Sequence, residues 1–357
     1  MTLSDVARYR FSNQLIARQT ARTPAEVVAW LGAMQAQDFL GAKWSVGLRA
    51  LGVSDATVDQ ALADRTIVRT WPMRGTLHFV APEDVRWMLS LLASRVLAAS
   101  KGRWRQLGLN DKIFVQSRKI FRQALRGGKQ LIRSEMYQAL ERGKISTAGQ
   151  RGYHLLWRNA QEGLICLGAP RGRQQTFVLL DEWVPAAKPL EREEALAKLV
   201  LRYFVSHGPA TVNDFVWWSG LTVKDAQAGI EMNVSRLASE EVDGKTHWMG
   251  RRMPALQPHS PVVALLPGFD EYILGYTERD LILDPHHARR VYSGLNLLFN
   301  PTIVIDGRIQ GTWKRVIRKE TVDLSFHPFK RLNTAEAQAL RRATQGYGEF
   351  LGLRAAS

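Results

Sequence analysis

Ile67-Val-Arg-Thr-Trp-Pro-Met-Arg-Gly-Thr-Leu-His-Phe-Val80 is a pair of β-rich runs around Pro72-Met-Arg-Gly75, which carries turn chemistry. Its position decides the fold class, because helical segments precede it. Thr23-Pro-Ala-Glu26 has the form of a capping box with proline at the first helical position. Val27, Leu31 and Met34 then recur at helical spacing, which predicts a core-facing stripe. Ser54 to Ala63 reads as a short helix with Val58 and Leu62 inward, and another helix after the hairpin runs to about residue 98. Helices followed by a hairpin are the order of a winged helix-turn-helix.

That order returns twice. Lys112 to Leu125 is helical, Ser134 caps a second helix running to Arg142, and Gly152 to Gln161 makes a third, stopped by Gly163. Strands Leu164-Ile-Cys-Leu167 and Thr176-Phe-Val-Leu-Leu180 flank the tip Gly168-Ala-Pro-Arg-Gly-Arg-Gln174. Beyond the Pro185/Pro189 linker, Glu191 to Val205 is helical, Thr211 caps Val212 to Trp218, and Thr222 with Asp225 caps a helix to about Asn233. Val242-Asp-Gly-Lys-Thr-His-Trp248 contains Asp-Gly, the strongest short hairpin signal. The three runs share an order and not a sequence. From about Leu256, the segments Pro261 to Pro267, Glu271 to Tyr276, Thr302 to Arg315 and Val322 to Phe326 alternate as half-buried strands do, before Thr334 caps a closing helix to about Leu351. The expected fold is α+β: tandem winged-helix units over 1–105, 106–186 and 187–254, followed by a β-rich, barrel-like domain over 255–357.

Lys and Arg number 49 against 33 Asp and Glu in 357 residues, a formal charge of +16. Such an excess points to a polyanionic partner, nucleic acid before membrane, and no run reaches 18 consecutive apolar residues. The N-terminus has no signal-peptide pattern, and Cys166 is the sole cysteine, which excludes an intrachain disulfide and suits a reducing cytoplasm. Neither Cys-x-x-Cys nor His-Glu-x-x-His spacing occurs, and the adjacent His286 and His287 have no supporting ligands. The chain is therefore expected to use no metal or other cofactor, and to act as a monomer.

Gln35 and Gln37 stand two apart in Trp30-Leu-Gly-Ala-Met-Gln-Ala-Gln-Asp-Phe39. On a continuous helix they would point to nearly opposite sides. They converge only if the helix ends between them or the chain turns extended, since residues two apart on an extended segment share a face. Gly41, just beyond, suits a helix terminus here. The first hairpin gathers Arg69, Arg74, Thr76 and His78, although a solvated sheet edge and a histidine satisfying a buried carbonyl would look the same. Arg171 and Arg173 at a Pro/Gly tip cannot help a core and are placed for phosphates or a minor groove. Arg308, Lys314 and Arg315 make the Asp306-Gly307 hairpin basic. Asp270 and Glu271, adjacent on an expected strand, face opposite ways and suit structural hydrogen bonding better than an acid/base couple.

Taken together, Gln35-Ala-Gln37, Arg69 to His78, Trp217-Trp-Ser-Gly220, Leu266-Pro-Gly-Phe-Asp-Glu-Tyr272 and Asp306-Gly-Arg…Gly-Thr-Trp313 resemble the bacterial winged-helix DNA glycosylases, the AlkZ-like enzymes, in matching order over roughly residues 3 to 333. The resemblance implies tandem winged helices before a β-rich domain, excision of alkylated purines from double-stranded DNA, and unhooking of interstrand cross-links. It implies a catalytic signature of glutamine, an apolar residue, then glutamine or aspartate, which falls on Gln35, Ala36 and Gln37. It also implies a DNA-engaging hairpin, placed here at Ile303 to Val316, and residence at the nucleoid when DNA is bound.

Glutamine cannot serve as a general base, but its amide accepts and donates hydrogen bonds. That suffices where the leaving group departs easily, as a cationic N7- or N3-alkylated purine does. What remains is to hold a water beside an oxocarbenium-like sugar, which is positioning and dipole electrostatics. Gln35 and Gln37 are the expected catalytic pair, with Asp38 in reserve. Bulky cross-links require an open groove and less base flipping than an enclosing pocket does. The competing reading is a non-catalytic winged-helix regulator.

Overall fold

Pro24 opens the helix Pro24–Leu31, and Thr23 accepts a hydrogen bond from the Glu26 N–H, in a computed structural model that describes residues 1–253, 256, 261–293 and 298–356. Only half of the expected capping box forms. The Glu26 carboxylate turns back to the Arg22 N–H at 2.7 Å, one residue earlier than Thr23. The helix after Ser54 spans Asp55–Ala63, with Val58 and Leu62 buried. The junction expected at residues 254 and 255 lies outside the described residues.

By contacts the chain forms two units, residues 59–195 and residues 1–58 with 196–357. In the first of these, Val68–Met73 and Thr76–Val80 pair antiparallel, through a turn in which Arg74 and Gly75 both have positive φ. Helices Asp111–Leu125, Arg133–Arg142 and Arg151–Gln161 lead to strands Ile165–Leu167 and Thr176–Leu179. Ser134 does not cap its helix. It lies in the first turn, where Glu135 accepts from the Ile132 N–H at 2.8 Å. Arg69 stands opposite Leu167, so the two hairpins of this unit belong to one sheet, each covering an edge the other would leave unpaired. Trp71, Trp104, Phe114, Phe121, Leu156 and Phe177 are part of its core.

The other unit holds helices Val212–Ser219 and Val223–Glu231 ahead of the hairpin Leu237–Val242/Lys245–Gly250. Thr211 with Asp214, and Thr222 with Asp225, form complete capping boxes, and Asp243-Gly244 turns the hairpin at positive φ. The C-terminal sheet runs in the order Arg354–Ala356, Thr321–Pro328, Arg308–Ile317, Thr302–Ile305, Val263–Leu266. Its pairs are antiparallel except the parallel Arg354–Ala356 edge, and it curls into a half-barrel. The helix Thr334–Leu351 is capped by Asn333, one residue before the expected Thr334. Its Tyr347 meets Trp44 and Trp313 edge-on, with ring centroids 4.8 and 5.2 Å apart. The stretch expected as a strand at Glu271 to Tyr276 is instead a single helical turn, Glu271–Leu274. Asp270 causes it: its side chain accepts the Tyr272 N–H at 2.9 Å and nucleates the turn, a local bond that outcompetes strand pairing. Among the described residues no helix is long and apolar enough to cross a membrane.

Candidate active site

The Pro24–Leu31 helix ends at Gly32, whose φ of +83° suits glycine and turns the chain out of the helix before either glutamine. Ala33–Gln35 is extended, so Met34, read as part of the helical stripe, is buried from a strand. The extended segment delivers the convergence: Gln35 Nε2 donates to Gln37 Oε1 at 2.8 Å. Gln35 is nearly buried and Gln37 is exposed. Gly41 marks no helix end; it lies in the first turn of Phe39–Gly47, where Asp38 caps by accepting its N–H.

Beneath this pair lies a packed carboxylate. Glu271, 1% exposed, accepts the Gln35 N–H on Oε1 at 2.7 Å and the Trp218 indole N–H on Oε2 at 3.1 Å. His207 Nε2 stands 3.9 Å from the same Oε2. Burial pushes the His207 imidazole below the ordinary histidine range, against the pull of Glu271. Its Nδ1 lies 2.8 Å from Ser206 Oγ, and Tyr203 stacks on the ring. Asp270 is held separately: Arg49 donates to both its oxygens, at 2.6 and 2.8 Å, and Ser45 Oγ donates at 2.5 Å. The strand-based reason for separating Asp270 from Glu271 is corrected by the helical turn, while the structural role expected of both carboxylates agrees with these bonds. The sequence reading missed the link from Glu271 to Gln35. The only available signal was that Gln35, Trp218 and Glu271 lie in three separate motif segments. A fourth segment joins through Trp313, whose indole N–H donates to the Leu266 carbonyl at 2.9 Å.

The basic residues are placed unequally. Arg315 reaches the glutamine segment: Nη1 donates to Tyr347 Oη at 2.7 Å, and Nη2 lies 4.0 Å from Asp38 Oδ2. Lys314 is exposed on the same strand. Arg308 is exposed at the other end of the hairpin, where Asp306 and Gly307 both have positive φ. A Cβ on Gly307 would fall 2.7 Å from the Ala7 carbonyl oxygen, which restricts that turn to glycine. In the other unit, Arg171 and Arg173 are exposed at their tip, where Arg171 donates to Glu135 and to the Gln130 carbonyl. Arg69 and His78 are buried, and Arg74 and Thr76 half-buried. His78 Nδ1 lies 2.9 Å from the Thr76 carbonyl. With the Gln175 amide oriented to suit, its oxygen accepts from both Arg69 Nη atoms, at 2.7 and 3.2 Å.

A family model described as "DNA glycosylase AlkZ-like" matches residues 28–350, a span that includes the glutamine pair, Trp218, Glu271 and Trp313. The chain belongs to the AlkZ-like DNA glycosylase family. The enzyme is similar to an interstrand DNA cross-link repair glycosylase of Streptomyces sahachiroi, 28% identical over 92% of this chain and 91% of the relative. Its fold is similar to the solved structure of the Streptomyces sahachiroi DNA glycosylase AlkZ, with a TM-score of 0.81 at 24% identity, covering 100% of this chain and 99% of that one. As an AlkZ-like protein the chain is a monofunctional DNA glycosylase.

Proposed function

We propose that this glycosylase hydrolyses the N-glycosidic bond of cationic N7-alkylguanine in duplex DNA and unhooks interstrand cross-links made through that nitrogen. The observation that carries the reading is the convergence of the two amides on an extended segment. With Gln35 Nε2 committed to Gln37 Oε1, the Gln35 carbonyl and the second lone pair of the Gln37 carbonyl stay available to a water. As the C1′–N9 bond breaks, its electron pair neutralises the purine cation, and the water oxygen bonds to C1′ and releases a proton to solvent. The protein need only orient that water and place carbonyl dipoles toward the sugar cation. Activity toward cross-links rests on the relative's name.

The three helix-then-hairpin runs are, in this proposal, winged-helix units of a monomer working in the cytoplasm. Arg74, Arg171, Arg173, Arg308, Lys314 and Arg315 contact phosphates, while Thr76 and the buried Arg69 and His78 hold the first hairpin in shape. The test is single-turnover incubation with duplex carrying one N7-methylguanine or one nitrogen-mustard cross-link, followed by alkaline scission. Release of neutral N7-alkylguanine and strand cleavage are expected, with uracil-containing duplex left intact. Binding without release from any alkylated duplex would favour a non-catalytic DNA-binding protein.

A further inference from the structure

Glu271 is a buried carboxylate with a double task. Its two oxygens receive two N–H groups from different parts of the chain, the Gln35 backbone at 2.7 Å and the Trp218 indole at 3.1 Å. A carboxylate accepts at both oxygens, whereas a glutamine amide offers one acceptor and one donor, so glutamine here would turn an NH2 group against an N–H. An aliphatic side chain would leave both donors buried without an acceptor. The carboxylate is also fixed in place: the Glu271–Leu274 turn is capped by Asp270, which Arg49 and Ser45 lock from beneath.

We infer that Glu271 is a positioning residue that sets the height and rotation of the Gln35–Gln37 segment through the Gln35 N–H, and so places the two amides for the reaction. This inference rests on the catalytic role proposed for Gln35 and Gln37. It explains why a charged group lies under a site whose chemistry uses uncharged amides. A displacement of the order of 1 Å at a positioned group can cost about 10²-fold in rate. Glu271→Gln should therefore lower the single-turnover rate on N7-methylguanine duplex by about 10- to 100-fold, with the duplex Kd within about twofold of wild type.

The readout specific to positioning is coupling. In the Gln35→Ala/Gln37→Ala background, Glu271→Gln should cost less than about twofold, because residues acting through one another are non-additive. An equal loss in both backgrounds overturns the inference. Independently of activity, hydrogen exchange at the Gln35 amide should speed up in Glu271→Gln; unchanged protection also overturns it. If Glu271→Gln does not fold, Glu271→Asp decides: it keeps the charge and shortens the reach, and a wild-type rate in that variant overturns the inference. Failure of both variants to fold assigns Glu271 a purely architectural role and overturns it too. A wild type inactive on every alkylated duplex, with a protected Gln35 amide, removes the catalytic reading itself and this inference with it.

Discussion

Gln35-Ala-Gln37 and Asp270-Glu271 are bonded to each other and opposite in character. The first presents two neutral amides on an extended segment, one nearly buried and one exposed. The second buries two carboxylates at one helical turn, where they accept from Gln35, Trp218, Arg49 and Ser45. Charge is costly to bury and is kept where partners are fixed, as at Arg49 and Asp270. The Gln35-Ala-Gln37 segment, which reaches the surface at Gln37, carries amides, which do not ionise. Under the proposed function, the substrate brings the charge, as a cationic purine does. In the proposed chemistry the buried carboxylates are scaffolding and the amides the working surface.

The largest effect should come from breaking the scaffold. Asp270→Asn leaves Arg49 as a buried charge without its counter-ion and should lower stability by about 3–5 kcal/mol, measured by urea unfolding. A loss under about 1 kcal/mol would show that the pair is not holding the turn. Breaking the working surface should do the reverse. Gln35→Ala/Gln37→Ala should cut the single-turnover rate by about 10² or more, about 2.7 kcal/mol, while stability changes by about 1 kcal/mol or less. A rate unchanged in that variant moves the chemistry elsewhere.

A smaller effect separates the two regions by pH. The glutamines do not titrate, so the single-turnover rate should be flat between about pH 6 and 8; a steep limb there would assign a titrating base. Stability should not be flat. Burial holds His207 below the usual histidine range, so as the pH falls through about 6.5 the unfolded chain takes up its proton first. Stability present above that pH then declines, and levels off once the folded histidine is charged too. His207→Phe should flatten this decline; His154 and His247, which burial also shifts downward, contribute to the slope that remains. An unaltered slope would mean that His207 does not contribute to it. The smallest effect is expected for Gln37→Asp, which should keep the rate within about tenfold, since a carboxylate also orients water. A loss as large as that of the alanine variant would show that the donor side of the Gln37 amide is needed.

Much of this protein was legible from local chemistry. Thr211, Thr222, Asp243-Gly244 and Asp306-Gly307 carry caps and turns whose hydrogen bonds close within a few residues, and the structure has each where the chain order predicts it. The errors were also local, a matter of one competing bond. Glu26 chose Arg22 over Thr23, and Asp270 pulled a β-rich stretch into a helical turn. The nature of the glutamine pair was likewise readable, because Gln35 and Gln37 can meet only off a helix, and Gly32 takes the chain out of one.

What the residues alone could not decide is what lies beneath that pair. Gln35 and Glu271 are 236 positions apart, and Trp218 reaches the same carboxylate from 53 residues away. No periodicity or spacing encodes such a meeting. By itself the sequence determined most of the elements, the basic character and the two amides, because propensity, capping and charge are properties of short stretches. Only the tertiary structure decided which carboxylate supports the amides and which basic side chains are buried, because a buried acceptor is defined by the donors that packing brings to it.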